Sequence, residues 1–238
     1  KFLAAVPASA FFIGSLIGSA IYGRLADSIL GRKKSLILSC LLTSITGFLT
    51  SLSANIWMYV FMRFLNGLTR SGIGICCLVL ATEVIGRKWR GQVGQYGFFF
   101  FTVGFLTVPL IAFYTKTSWR SLHRIMAAFP FVYSLLILRL VEESPRWLLV
   151  RGNKTQALSV LAGFARRNGK TLPTDLQLLD PNFSTNLVNN VRADTPKMGL
   201  WECRWARIRM SIAMVAGFGV GFVYYGIQLN VENLNFSK

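Results

Sequence analysis

Two arginines stand inside an otherwise apolar run. Arg63, Gly67, Arg70 and Gly74 recur at i, i+4, i+7 and i+11, with Asn66 beside them. On a helix those intervals share one face. A charge in hydrocarbon costs about 2.5–3.5 kcal/mol on insertion scales, so such a face belongs against a cavity or a partner. Either of two roles suits it: the guanidinium groups hold a solute carboxylate, or they brace backbone carbonyls. A second run carries Gly217, Gly221, Tyr224 and Gln228 on one stripe, flanked by Tyr225. Tyrosine faces attract a quaternary ammonium group. A third stripe holds Phe98, Phe101, Thr102 and Phe105, with Pro109 further on as a point of kinking. Aromatic stripes of this kind equally serve helix packing or lipid contact.

The other charges gather at the ends of apolar runs: Arg24, Asp27 and Arg32; Glu83 and Arg90; Glu142, Glu143 and Arg146. Opposite signs brought to one side can form a network that closes and reopens. As ordinary exposed ion pairs they would each be worth about 0–1 kcal/mol. Enzyme chemistry finds no support. There is one His, and none of Cys40, Cys76, Cys77 and Cys203 has metal-ligand spacing with His123. No glycine-rich phosphate loop, nucleophile elbow or cofactor motif is present.

These residues need long apolar elements to position them. Of the 238 residues, 53% are hydrophobic and 15% charged, well under the roughly 25% charge of soluble domains. A membrane-crossing helix needs about 20 apolar residues. Six spans satisfy this: Phe2–Tyr22, Leu36–Leu49 with its edges, Trp57–Thr82, Gly91–Tyr114, Leu122–Leu140 and Met210–Val231. The polar patch Ser51–Asn55 separates the second from the third. Net charge is +17, which on a soluble protein would suggest nucleic acid; here the basic residues cluster between spans, so no nucleic-acid partner is expected. Arg24, Arg32, Lys33 and Lys34 lie between the first two spans, and Arg87, Lys88 and Arg90 between the third and fourth. A long polar, basic stretch separates the fifth from the sixth. The positive-inside rule places all three on the cytoplasmic side. Within the long stretch, Ser144-Pro145 is a helix start and Thr155–Arg167 has helical spacing, with Pro173, Pro181 and Pro196 interrupting the rest. The expected division is 1–141 for five spans, 142–209 for the cytoplasmic connection and 210–238 for the last span. The chain opens on Lys1 and enters an apolar run at once, and is expected to be an internal piece of a larger membrane protein.

Four motifs carry a family resemblance. Gly23-Arg24-Leu25-Ala26-Asp27-Ser28-Ile29-Leu30-Gly31-Arg32-Lys33-Lys34 resembles the signature loop between the second and third helices of the major facilitator superfamily. Arg63-Phe64-Leu65-Asn66-Gly67 resembles its fourth-helix pattern. Glu142-Glu143-Ser144-Pro145-Arg146-Trp147-Leu148-Leu149 is similar to both sugar porters and organic cation/anion transporters of the solute carrier type. Thr82-Glu83-Val84-Ile85-Gly86-Arg87-Lys88-Trp89-Arg90-Gly91 lacks the proline of sugar porters and resembles the organic-ion family, as does Val223–Asn230. Within that family the likeness is to plant organic cation/carnitine transporters.

The resemblance implies an all-α membrane protein. It would be a partial major facilitator fold holding helices two to seven of twelve, with short cytoplasmic helices between the sixth and seventh. It implies secondary active or facilitative transport of a small organic cation or zwitterion by alternating access, uniport or coupled to a proton or Na+. No cofactor or nucleotide hydrolysis is implied. The partners implied are the solute, the bilayer and the missing C-terminal half, in the plasma or vacuolar membrane. The family's cavity positions fall on Tyr224 and Tyr225. Phe98 stands where the family often has Gln, and Gly217 where it often has an aromatic. A gating network would draw on Gly23, Arg24, Asp27, Gly31, Arg32, Glu83, Arg90, Glu143 and Arg146. The alternatives are a sugar-porter-like transporter and a non-transporting membrane interaction protein or truncated fragment.

Overall fold

With no water in hydrocarbon, a spanning backbone must satisfy its own N–H and C=O groups, and the apolar runs become helices. The computed structural model describes residues 2–28, 30–115, 118–170 and 203–230. They form α1 (Phe2–Ser28), α2 (Gly31–Ser51), α3 (Ile56–Val84), a 3-10 turn at Arg87–Trp89, α4 (Arg90–Tyr114), α5 (Trp119–Leu140), α6 (Pro145–Val150), α7 (Lys154–Arg167) and α8 (Arg204–Asn230). Six of these, α1 to α5 and α8, are long and apolar enough to cross a membrane. The protein is an integral, multi-pass membrane protein. The prolines at 173, 181 and 196 lie outside the described residues.

Several helices run past the spans that hydropathy predicts. The second begins at Gly31 rather than Leu36, the fifth at Trp119 rather than Leu122, and the last at Arg204 rather than Met210. The added turns carry Arg, Lys or Trp, which form helix readily once outside the hydrocarbon. At 29 residues, α3 is about 43 Å long by helical rise, against a core of about 30 Å, so its ends must stand clear of the lipid tails.

Turn chemistry sets the boundaries. Gly31 has φ of +82°, a conformation glycine adopts without strain, and this lets α2 start two residues after α1 ends. Asn55 and Ser118 are extended and open α3 and α5. Ser144 Oγ accepts from the Trp147 amide at 3.3 Å, with Pro145 at the first helical position of α6.

Packing uses small and hydroxyl-bearing residues. A Cβ at Gly14 would collide with the Phe64 carbonyl, one at Gly18 with Leu68, and one at Gly67 with Phe11, so α1 and α3 touch backbone to backbone. Gly14 and Gly18 are the small-xxx-small spacing that allows such approach. Between α2 and α3, Thr43 Oγ1 donates to Thr69 Oγ1 at 3.2 Å and Asn66 Nδ2 to Thr46 Oγ1 at 3.4 Å. A small apolar core of Ala26, Leu36, Cys40, Cys76, Leu80 and Ile137 lies toward the charged ends. No residue of α4 is buried, and large apolar side chains such as Leu16, Phe61, Leu106 and Leu138 are exposed, as on a lipid-facing surface. Helices α1 to α7 make one compact unit and α8 belongs to a second.

A bulky residue at Gly67 has to part α1 from α3. Gly67→Leu in the full-length protein is expected to cost about 1–3 kcal/mol, as overpacking does. Gly74 is the control on the same helix: a Cβ there would have nothing within 4 Å. Thermal unfolding in detergent should show a lowered midpoint for Gly67→Leu and an unchanged one for Gly74→Leu.

Candidate functional site

Two places collect the residues with chemical potential. The first is at the end where α1, α2, α3 and α6 meet. Arg32, on the first turn of α2, is its hub. Its Nε donates to Glu83 Oε2 at 3.1 Å and its Nη2 to Glu83 Oε1 at 3.2 Å, a two-pronged carboxylate contact. Nη2 also lies 3.0 Å from Asp27 Oδ1, and Nη1 donates to the Ala26 carbonyl at 3.1 Å. Arg32 and Glu83 are 12% and 11% exposed in their side chains and Asp27 is 74%, so the Glu83 contact is the more shielded of the two.

Glu143 joins from 110 residues away. Its carboxylate accepts from the backbone amides of Arg32 at 3.0 Å and Lys33 at 3.0 Å, and from its neighbour Ser144 at 3.0 Å. These are orphan amides at the N-terminus of α2, where the helix dipole favours negative charge. A Cβ at Gly31 would fall 2.5 Å from Glu143 Oε2 and 3.2 Å from the Trp147 ring, so glycine is required here by space as well as by φ. Trp147 Nε1 donates to the Asp27 carbonyl at 3.2 Å, fastening α6 to the end of α1. Arg24 and Arg146 are exposed, and neither forms an ion pair among the described residues. Arg90 Nε donates to the Ile85 carbonyl at 3.4 Å, and the side chain forms no ion pair among the described residues. Gly23 has nothing within 4 Å of its Cβ direction. Glu142, one of the charges the sequence places at this end, pairs with Arg167 of α7 at 2.8 Å, a partner the sequence did not indicate.

The second place is a cavity of about 620 Å³ within α1–α5. Arg63, Asn66 and Arg70 of α3 line it, together with His123 of α5. Arg63 Nε donates to Tyr59 Oη at 2.9 Å, and its guanidinium lies 5.3 Å from that ring's centre. Arg70 lies 5.9 Å from the Phe11 ring centre and forms no ion pair among the described residues. No acid is among the described lining residues. From α4 the cavity takes Gly104, Thr107, Val108 and Ile111. Phe98, Phe101 and Thr102 do not line it; Thr102 Oγ1 donates within its own helix, to the Phe98 carbonyl at 3.0 Å. The i, i+3, i+4, i+7 spacing of the four lining residues was the available signal for them.

On α8, Tyr224 and Tyr225 are exposed and meet edge to face, with centres 5.1 Å apart. Gln228 lies on the same helix, and its side chain falls outside the described residues.

Comparison with known proteins bears on the family and the fold. Organic cation/carnitine transporter 3 of Arabidopsis thaliana is 45% identical over 238 residues, all of this chain and 46% of its own length. Solute carrier family 22 member 3 of Rattus norvegicus is 32% identical over 220 residues, 92% of this chain and 38% of its own. The chain therefore spans about half the length of the curated relatives it matches. Among solved structures, the proton:xylose symporter XylE, of the major facilitator superfamily, superposes with a TM-score of 0.62 at 20% identity, over 80% of this chain and 43% of that one. This likeness is one of fold. The family model of sugar (and other) transporters matches residues 2–231, and the chain belongs to that family.

Proposed function

We propose that the full-length protein carries a small organic solute with a positive charge and a carboxylate, a carnitine-like zwitterion, across the membrane by alternating access. The cavity carries this reading: two arginines in its wall and no acid among its described lining residues. A bare cation would be repelled by both arginines, while a carboxylate would be held by Arg70, whose guanidinium has no acid partner among the described residues. Arg63 braces the wall through Tyr59. Relatives named organic cation/carnitine transporters support the solute class. Coupling to a proton or Na+ and residence in the plasma or vacuolar membrane belong to the same proposal.

The Arg32 cluster is assigned to the cytoplasmic gate. Intact, it locks the basic ends of α1, α2, α3 and α6 together; opening toward the cytoplasm loosens it. Residues such as these set the balance between states and do not touch the solute.

Two outcomes are expected in uptake assays on the full-length protein. Arg70→Ala should weaken carnitine affinity by about ten- to a hundredfold, the worth of a hydrogen bond to a charged group, while choline, which has no carboxylate and is repelled by the guanidinium, should bind no more weakly than before. Unchanged carnitine affinity removes Arg70 from the carboxylate role, and uptake of hexoses alone contradicts the solute class. At the gate, Glu83→Gln removes the more shielded of the two carboxylate charges on Arg32 and should lower maximal carnitine uptake by more than about tenfold. Asp27→Asn, at an exposed carboxylate, should have the smaller effect.

A further inference from the structure

His123 is the single histidine of the chain, and the roles above do not use it. It sits on the first turns of α5 and is the residue shared by two cavities. One is the inner cavity that holds Arg63 and Arg70; the other is an outer pocket of about 370 Å³ bordered by Ser53–Ile56, Tyr59, Trp119 and Arg120. Its ring packs against Tyr59 and edge to face against Trp119, with centres 5.9 and 5.8 Å away. Its Nε2 lies 3.5 Å from Tyr59 Oη, the oxygen that receives Arg63 Nε at 2.9 Å. Because Tyr59 Oη already accepts from Arg63, its own O–H is free to donate, and the long contact to His123 is satisfied with Nε2 as the acceptor.

From this juxtaposition, one hydroxyl from Arg63 and in the wall between an outer pocket and the inner cavity, we infer that His123 takes up a proton when a carboxylate-bearing solute occupies the cavity. The inference rests on the zwitterion reading above and adds a proton to it.

The electrostatics run one way. The charged and titratable groups that border the two cavities of His123, among the described residues, are Tyr59, Arg63 and Arg70 from α3, and Arg120 on its own helix. The Ser53–Asn55 turn brings no charge, and neither do the cavity-lining residues of α4. The described acids Asp27, Glu83, Glu142 and Glu143 belong to the opposite, basic end. An imidazolium here therefore meets cations and no anion. A carboxylate held by Arg70, in the cavity that His123 also lines, supplies the missing charge. The proton comes from water on the outer side and adds to the Nε2 lone pair. Nε2–H then donates to Tyr59 Oη, whose own hydrogen turns to another acceptor. Linkage is reciprocal: if the solute raises the site's hold on a proton, the proton raises its hold on the solute by the same factor. A free carboxylate of this kind titrates at about pH 3.5, far below the range where histidine changes charge, so the two are separable.

The test is calorimetric binding to the full-length protein in detergent, with carnitine and choline as probes, at pH 5.5 and 8.0 and without a gradient. Carnitine is expected to bind about tenfold tighter at pH 5.5, within the range usual for coupled sites. Choline should show no such shift. His123→Gln, which keeps a polar partner for Tyr59, should abolish carnitine's pH dependence. A second measurement needs no variant: binding heats in two buffers of different ionisation enthalpy should report net proton uptake on carnitine binding near pH 6.5. Equal carnitine affinity at both pH values, no proton uptake, or a pH dependence that survives in His123→Gln overturns the inference and leaves the zwitterion reading standing. A protein that binds choline and not carnitine, or neither, overturns that reading and this inference with it.

Discussion

Hydrocarbon does not hydrate charge, and the arrangement of the whole molecule follows from that. The described carboxylates are confined to one end, where each has a cation or a row of backbone amides to face. What charge remains within the bundle is guanidinium, with a histidine beside it. A cavity with this polarity is an unwelcoming place for a bare cation and a suitable one for a solute that brings its own carboxylate. Cost of burial thus decides where the carboxylates of the described residues can stand, and it is the ground of the proposed lock and solute.

The locked end shows how little sequence-local chemistry is needed to join distant helices. Glu143 caps the start of α2 from a position more than a hundred residues on, and it does so because Gly31 has no side chain to keep it away. The same carboxylate also receives the amide of Ser144, the residue that caps α6. Movement of α6 is therefore tied directly to the first turn of α2. Arg32, two prongs on Glu83, ties that turn to the end of α3. These contacts are charge-assisted and shielded, so they are strong while made and costly to half-break, the property the proposed gate relies on.

Much of the fold was legible because apolar run length and basic loops are properties of the sequence itself. The six spans, the short helices at Pro145–Val150 and Lys154–Arg167, and the turn at Gly31 all follow from hydropathy, Ser-Pro capping and glycine spacing. Helix ends were less legible: Arg32–Lys34 and Arg204–Arg209 look like loop by hydropathy and fold as helix, since beyond the hydrocarbon charge no longer opposes it. Of the α3 stripe read from i, i+4, i+7, i+11, Arg63 and Arg70 line a cavity together with Asn66, whereas Gly67 packs against Phe11 of α1. Which face of α4 meets that cavity was not readable, because phenylalanines on a lipid-facing helix produce an aromatic stripe with no regard to the interior. Arg24, Arg90 and Arg146 share a loop with Asp27, Glu83 or Glu143, yet lie outside the Arg32 cluster; proximity in sequence says nothing about the direction of a long side chain. Gly14 and Gly18 carried a readable spacing whose consequence, backbone contact with α3, is tertiary.

Direct observation of the solute tests the central claim most sharply. In a structure of the full-length protein with bound carnitine, the account places the carboxylate oxygens within hydrogen-bond distance of Arg70, with the trimethylammonium group turned away from both cavity arginines. A solute seated in the reverse sense, or held with its carboxylate far from Arg63 and Arg70, would contradict it.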